Sequence, residues 1–380
     1  MNSTKNMTFN DLRNNLMQIR DSRMDIVMSS KDLSATSQNT LMTPELPEVV
    51  TEHGVGLPQM TWAINEHAVQ QIATKWKIPV RYLRGLRDSK PYEFNRLAAN
   101  ILQTHFETDP MDILVRGLIN PNDPTLGTIR AVMSSKYAFV EHFDVLTAVF
   151  DGLRVAREDH GITFQPGVAS LSETHMRARI NMPDLSVIAR ELVRDYRSPW
   201  TGETGLDNPV VFMGIEIRNS EVGAGSFVIV PVLVIKVCNN GMTLTEELFR
   251  KRHLGVKMSE GAISSRTMKA TMEVITSQTI DYVTEIATPA FLQEQVDRLQ
   301  GLVVPVQPTV VQEHLQSVFS EAHANAVFDA FITSGDITAF GVAQAVTAAS
   351  QGAAFSADDA RLADDDALTL AGQVAKLAVA

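Results

Sequence analysis

Cysteine is nearly absent from this chain: its 380 residues contain one, Cys238. No intrachain disulfide can form, which suits a reducing compartment. At the end of an apolar run, this thiol reads as a small buried hydrophobe and not as a nucleophile. Long apolar runs are missing as well, since none reaches the ~18 residues of a membrane span. The first residues mix Asn, Ser, Thr, Asp and Arg without the apolar core of a secretory signal, so the expected location is the cytoplasm. Strong chemical motifs are also lacking. There is no P-loop, GxSxG, HExxH, CxxC pair or dinucleotide glycine fingerprint, and Gly223-Ala224-Gly225 is only a turn. The nine histidines are dispersed, with no pair and carboxylate at metal-ligand spacing. The expectation is therefore no catalytic residue, no cofactor and no metal, with Asp358, Asp359 and Asp364–Asp366 forming a solvated acidic turn.

Basic charge is scarce in one region only. The net charge is −11, and residues 270–380 hold three basic residues against fourteen acidic ones, which accounts for the whole excess. Residues 1–269 are neutral overall, with modest positive balances in Lys75–Lys136 and Lys236–Lys269. Total charge argues against nucleic acid, whereas its placement leaves room for it.

What is present is a dense β-branched and aromatic stretch from Asn208 to Gly255. Val210–Arg218 and Ser226–Cys238 predict two long strands joined as a hairpin. The second strand is apolar on both faces, which places it between layers or between subunits. Pro231 cannot donate to a ladder and marks an edge or a bulge. Beyond the hairpin lies the basic run Arg250-Lys251-Arg252-His253.

Residues 1–60 read as a flexible arm with one helix over Asp11–Met28. Helices follow from Asn65, over Val80–Arg87 and over Glu93–Phe106. Arg81, Arg84, Arg87 and Lys90 form a helical stripe that is either solvated surface or a phosphate contact. Asp112–Ile119 and Leu126–Met133 alternate as strands, each carrying an arginine, Arg116 and Arg130. Ser134-Ser135-Lys136-Tyr137 leads into a helix whose stripe runs from Phe143 to Leu153. Strands follow near Ile162–Leu171 and Thr174–Met182. The latter sets Met176, Ala178, Ile180 and Met182 on one face and His175, Arg177, Arg179 and Asn181 on the other, the best basic strand stripe in the chain. A heptad-like stripe from Met268 to Ile286 packs on the sheet or on another subunit. Val303–Pro308 reads as a linker to an acidic, Ala-rich helical segment.

Several spaced blocks carry a family resemblance: IRAVMSSKYAFVEHFDVL, NSEVGAGSFVIVPVLVIKVCNNGM, RKRHLG and ITAFGVAQAVTAAS. In this order, over roughly Trp62–Ala349, the chain resembles the phage- and plasmid-borne family called domain of unknown function 932. The resemblance implies a mobile-element origin and an intracellular setting. It carries no catalytic residues.

The expected fold is α+β: a mostly antiparallel curved sheet with helices on one face, a long central hairpin and a helical C-terminal extension. The expected divisions are an arm over 1–60, a core over 61–302 and a C-terminal segment over 303–380. The leading functional expectation is single-stranded DNA binding by a homo-oligomer, with strand annealing in recombination or replication. Arg116, Arg130, Lys136, Arg177, Arg179, Arg250, Lys251 and Arg252 would track phosphates, and Tyr137 or Tyr82 would stack on bases. The acidic C-terminal segment would compete with DNA. The alternative is a non-catalytic assembly protein whose doubly apolar hairpin is an interface.

Overall fold

The computed structural model describes residues 4–36, 40–42, 50–51, 54–55, 61–137, 139–198, 201–236, 240–243 and 265–379. Its first half runs β1 (Thr4–Met7), α1 (Phe9–Ser22), β2 (Arg23–Ser29), β3 (Ser34–Thr36), β4 (Thr40–Met42), β5 (Val50–Thr51), β6 (Gly54–Val55), β7 (Thr61–Ile64), α2 (Glu66–Lys75), α3 (Val80–Ser89), α4 (Pro91–Thr108), β8 (Asp112–Asn120) and β9 (Asp123–Ser134). The second half runs α5 (His142–His160), β10 (Gln165–Leu171), β11 (Met176–Ile188), α6 (Arg190–Val193), β12 (Val210–Asn219), β13 (Val228–Ile235), β14 (Asn240–Thr243), α7 (Ser265–Ile286), α8 (Pro289–Gln300), α9 (Pro308–Val318), α10 (Glu321–Ser334), α11 (Ala339–Ser350) and α12 (Ala357–Val379). The fold is α+β, mostly antiparallel, with the long central hairpin β12–β13 and a helical C-terminal stretch, as the sequence predicts.

The strands divide between two six-stranded sheets. The first has the order β1-β10-β11-β12-β13-β14 and is antiparallel throughout. The second has the order β2-β8-β9-β7-β4-β3, with β7 and β9 parallel and the other pairs antiparallel. In the first sheet Ala178, Ile180, Ile215, Ile217 and Leu233 face one large core with α5, α7 and α8. Pro231 lies one residue outside the β13–β14 pairing, which begins at Val232, so its missing N–H costs no bond there. The heptad-like stripe of α7 packs on α5, where Thr276 donates to the Ala148 carbonyl at 3.1 Å and a Cβ on Gly152 would meet Thr276 O at 2.8 Å. Its partner is thus within the chain.

A smaller core under the second sheet gathers around Trp62, with α2 and α4 covering it. Cβ atoms on Gly117 and Gly127 would stand 2.5 and 2.2 Å from the Trp62 ring. Only glycine lets β8 and β9 flank that indole.

Two expected divisions need correcting. The N-terminal arm is built into both sheets over 4–36: β1 pairs with β10, and β2 pairs with β8. The Asp11–Met28 helix ends at Ser22, because Met24, Ile26 and Met28 alternate with exposed Val27 at the period of a strand. The C-terminal helices are not a separate extension either. They share the large core, α11 is buried at every position, and Pro305 in the expected linker bridges to Thr338. Lys5 Nζ donates to the carbonyls of Ser350, Gly352 and Phe355 at 3.0, 2.5 and 2.7 Å, tying the first strand to the end of α11.

Candidate nucleic-acid interface

The alternation read for β11 is correct, but its polar face is closed. Arg177 and Arg179 are 8% and 5% exposed, and Arg218 from β12 lies beside them. Glu216 sits among the three: Arg177 donates through Nε and Nη2 at 3.0 and 2.8 Å, Arg218 through Nε at 2.6 Å, and Arg179 Nη2 stands at 3.9 Å. Helix α12 completes the cluster, with Asp364 at 3.0 Å from Arg177 and Asp365 at 2.5 Å from Arg218. Burial opposes ionisation of Glu216, yet Arg177, Arg218 and Arg179 outweigh it and hold this carboxyl far below its ordinary range. The acidic run expected as a solvated turn is therefore in part a structural counter-charge, with Asp364 1% exposed.

Arg116 and Arg130 form a second closed cluster, on the face of the second sheet opposite Trp62. Arg116 reaches Asp25 at 2.8 Å, Glu141 at 2.6 Å and the Glu221 carbonyl at 2.6 Å, and lies 3.5 Å from the centre of the Phe139 ring. Burial works against its charge, but Glu141 and Asp25 raise its pKa above the ordinary value. Arg130 stands where the β8–β9 register slips, since Arg116 pairs with Ala131 and Gly117 with Ile129. Its Nη1 donates to Glu221 Oε1 at 2.7 Å. Burial lifts the Glu141 carboxyl to about 8 despite Arg116, while Arg130, the Glu141 side chain and Arg116 hold Glu221 low against its own burial. His142 is buried neutral: Asn219 Nδ2 stands 3.0 Å from its Nδ1, and burial lowers its pKa to about 4.

Four of the six arginines expected to track phosphates thus pair with carboxylates, in two separate clusters inside the molecule. This corrects the expectation of a groove along β11. A buried guanidinium held bidentately, as Arg116 is by Asp25 and Arg177 by Glu216, has no free face for a phosphate. Lys136 and Tyr137 are exposed at the turn after β9. Arg250, Lys251 and Arg252 lie outside the described residues.

A different basic surface is open. Lys75–Arg96 holds seven basic residues against two acidic ones, over the end of α2, all of α3 and the start of α4. Lys77, Arg81, Arg84, Lys90 and Arg96 are exposed. Arg84 makes an exposed pair with Glu66 at 2.6 Å, a type of contact that contributes little and opens readily. Tyr82 and Tyr92 are 62% and 77% exposed. Tyr92 and Arg96 are one helical turn apart on α4, and α4 packs against α3. The sequence signalled the stripe Arg81, Arg84, Arg87, Lys90 and the residue Tyr82; Tyr92 was missed, though its position directly after Pro91, in the first turn of α4, marked it as surface.

No helix among the described residues is long and apolar enough to cross a membrane. Compared with protein-family models, with curated proteins and with solved structures, the chain matches none of them.

Proposed function

We propose that this protein binds single-stranded nucleic acid through the α3–α4 hairpin, within the mobile-element setting that its resemblance to the domain of unknown function 932 family implies. One observation carries the reading: two tyrosines more than 60% exposed stand among exposed Arg81, Lys90 and Arg96 on adjoining helices. A ring left mostly exposed packs little within the fold, and cations beside it offer phosphate contacts to a strand whose bases stack on the ring. Phosphate contacts give affinity without sequence, and ring faces accept any base. Annealing would follow from holding a strand by its backbone with base edges outward. The assembly alternative rested on the doubly apolar hairpin, and it loses that support because Val232 and Val234 are buried within the chain.

Fluorescence anisotropy with single-stranded and duplex oligonucleotides tests the reading. Single strands should bind more tightly than duplex, and Tyr82→Ala with Tyr92→Ala should weaken single-strand binding by roughly 30-fold, from ~1 kcal/mol per lost stack at the low end. The melting temperature should stay constant. Equal affinity in the double variant would contradict the stacking role.

A further inference from the structure

On the face of the second sheet opposite Trp62, between α1 and strands β7 and β9, lies a cleft of about 630 Å³. That is within the range of small-molecule sites. Register sets Ala63, Thr128 and Leu118 side by side on its floor, on the face opposite Trp62. We infer that this cleft takes a single nucleobase.

The chemistry of its lining favours a flat heteroaromatic ring over a phosphate. Asn15 and Gln18 from α1 present carboxamides, each both donor and acceptor, which match the mixed edge of a base, and Asn65, whose Oδ1 accepts from Ala68 N at 2.8 Å, keeps its amide N–H groups as donors. Glu173, from the turn between β10 and β11, puts a carboxylate in the lining. Arg130 lines the cleft while 4% exposed, and its Nε and Nη2 have no hydrogen-bond partner among the described residues. A buried guanidinium with two unmet donors is costly unless an acceptor reaches it, and ring nitrogens and exocyclic carbonyls are acceptors of that kind. A phosphate is disfavoured there: Glu173 is part of the lining, and Glu221 already sits 2.7 Å from Arg130. The cleft also adjoins the basic helix. Asn65 caps α2, and the next residue, Glu66, is the partner of Arg84 on α3. The link between cleft and strand rests on the single-strand reading above, whereas the cleft's own lining does not.

Calorimetric titration of the full chain with GMP, AMP, CMP and UMP, and separately with ribose 5-phosphate, tests the inference. At least one mononucleotide should bind saturably with a Kd at or below about 1 mM, and ribose 5-phosphate, which lacks a base, should not. Thr128→Trp fills the cleft while leaving the Arg130–Glu221 pair in place, and should abolish the saturation. Should that variant fold poorly, Asn15→Ala with Gln18→Ala, on the surface of α1, should weaken binding about tenfold through lost hydrogen bonds. Equal binding of ribose 5-phosphate, or nucleotide binding unaffected by either variant, would overturn the inference. No saturation by any of the four, with oligonucleotide binding intact, would overturn it and leave the single-strand reading standing. Saturable nucleotide binding without oligonucleotide binding would uphold the cleft and remove that reading.

Discussion

Glu216 is one carboxylate holding three arginines in the interior, and removing its charge leaves all three short of a partner. Glu216→Gln should destabilise the fold by about 3–5 kcal/mol, the usual consequence of breaking a buried ion pair from one side, read by denaturant unfolding. His142 gives a pH signature. Its pKa is lowered to about 4 in the fold from an ordinary 6.5, so its contribution to stability is present above 6.5 and is lost as pH falls toward 4. Over that window the His142 contribution amounts to a loss of about 3 kcal/mol, opposed by Glu141, whose raised carboxyl favours the fold as pH falls, so it is read as the difference between wild type and His142→Gln across the pH series. These two clusters show what sequence legibly gives at this scale and what it withholds. Strand alternation correctly separates Arg177 and Arg179 from Met176, Ala178 and Ile180. It cannot reveal what covers the polar side, because Glu216 and Asp364 lie 39 and 187 residues from Arg177 along the chain.

Element types were legible wherever periodicity was sustained. β8, β9, β11, β12 and β13 and helices α3, α4 and α7 fall where pattern placed them, because burial of one face imposes period 2 or 3.6 directly on the sequence. Failures came where one period passes into another without a break, as from α1 into β2, and where composition was read as separation. The Ala-rich C-terminal helices resemble an extension because small residues show weak periodicity; in fact α11 is buried all round and belongs in the interior. Ending the chain at residue 302 should therefore expose the large core, giving an aggregated or non-cooperatively melting fragment in calorimetry. A soluble fragment with a sharp transition would contradict the shared core. In the second sheet, Gly127→Ala should lower stability, since its Cβ would lie 2.2 Å from the Trp62 ring, and a smaller residue at position 62 should partly restore it.

Across the whole molecule, charge has been sorted by layer. Arginines on the strands are matched internally by carboxylates of β2, β12, α12 and the loops, while Lys75–Arg96 keeps its positive excess on the surface. The acidic C-terminal residues thus do meet the basic strand face, but as part of the folded interior, not as a competitor in solution. The count of charges by segment pointed toward a basic surface, and only the three-dimensional pairing tells which basic residues remain for a ligand. The most direct test is the salt dependence of single-strand affinity, measured by anisotropy for wild type and for a variant carrying Arg81→Ala, Arg84→Ala and Lys90→Ala. Each lost phosphate contact removes about 0.7 from the slope of log affinity against log salt, so the variant should flatten that slope by about two units while melting as wild type does. An unchanged slope and affinity in the folded variant would contradict the α3–α4 interface.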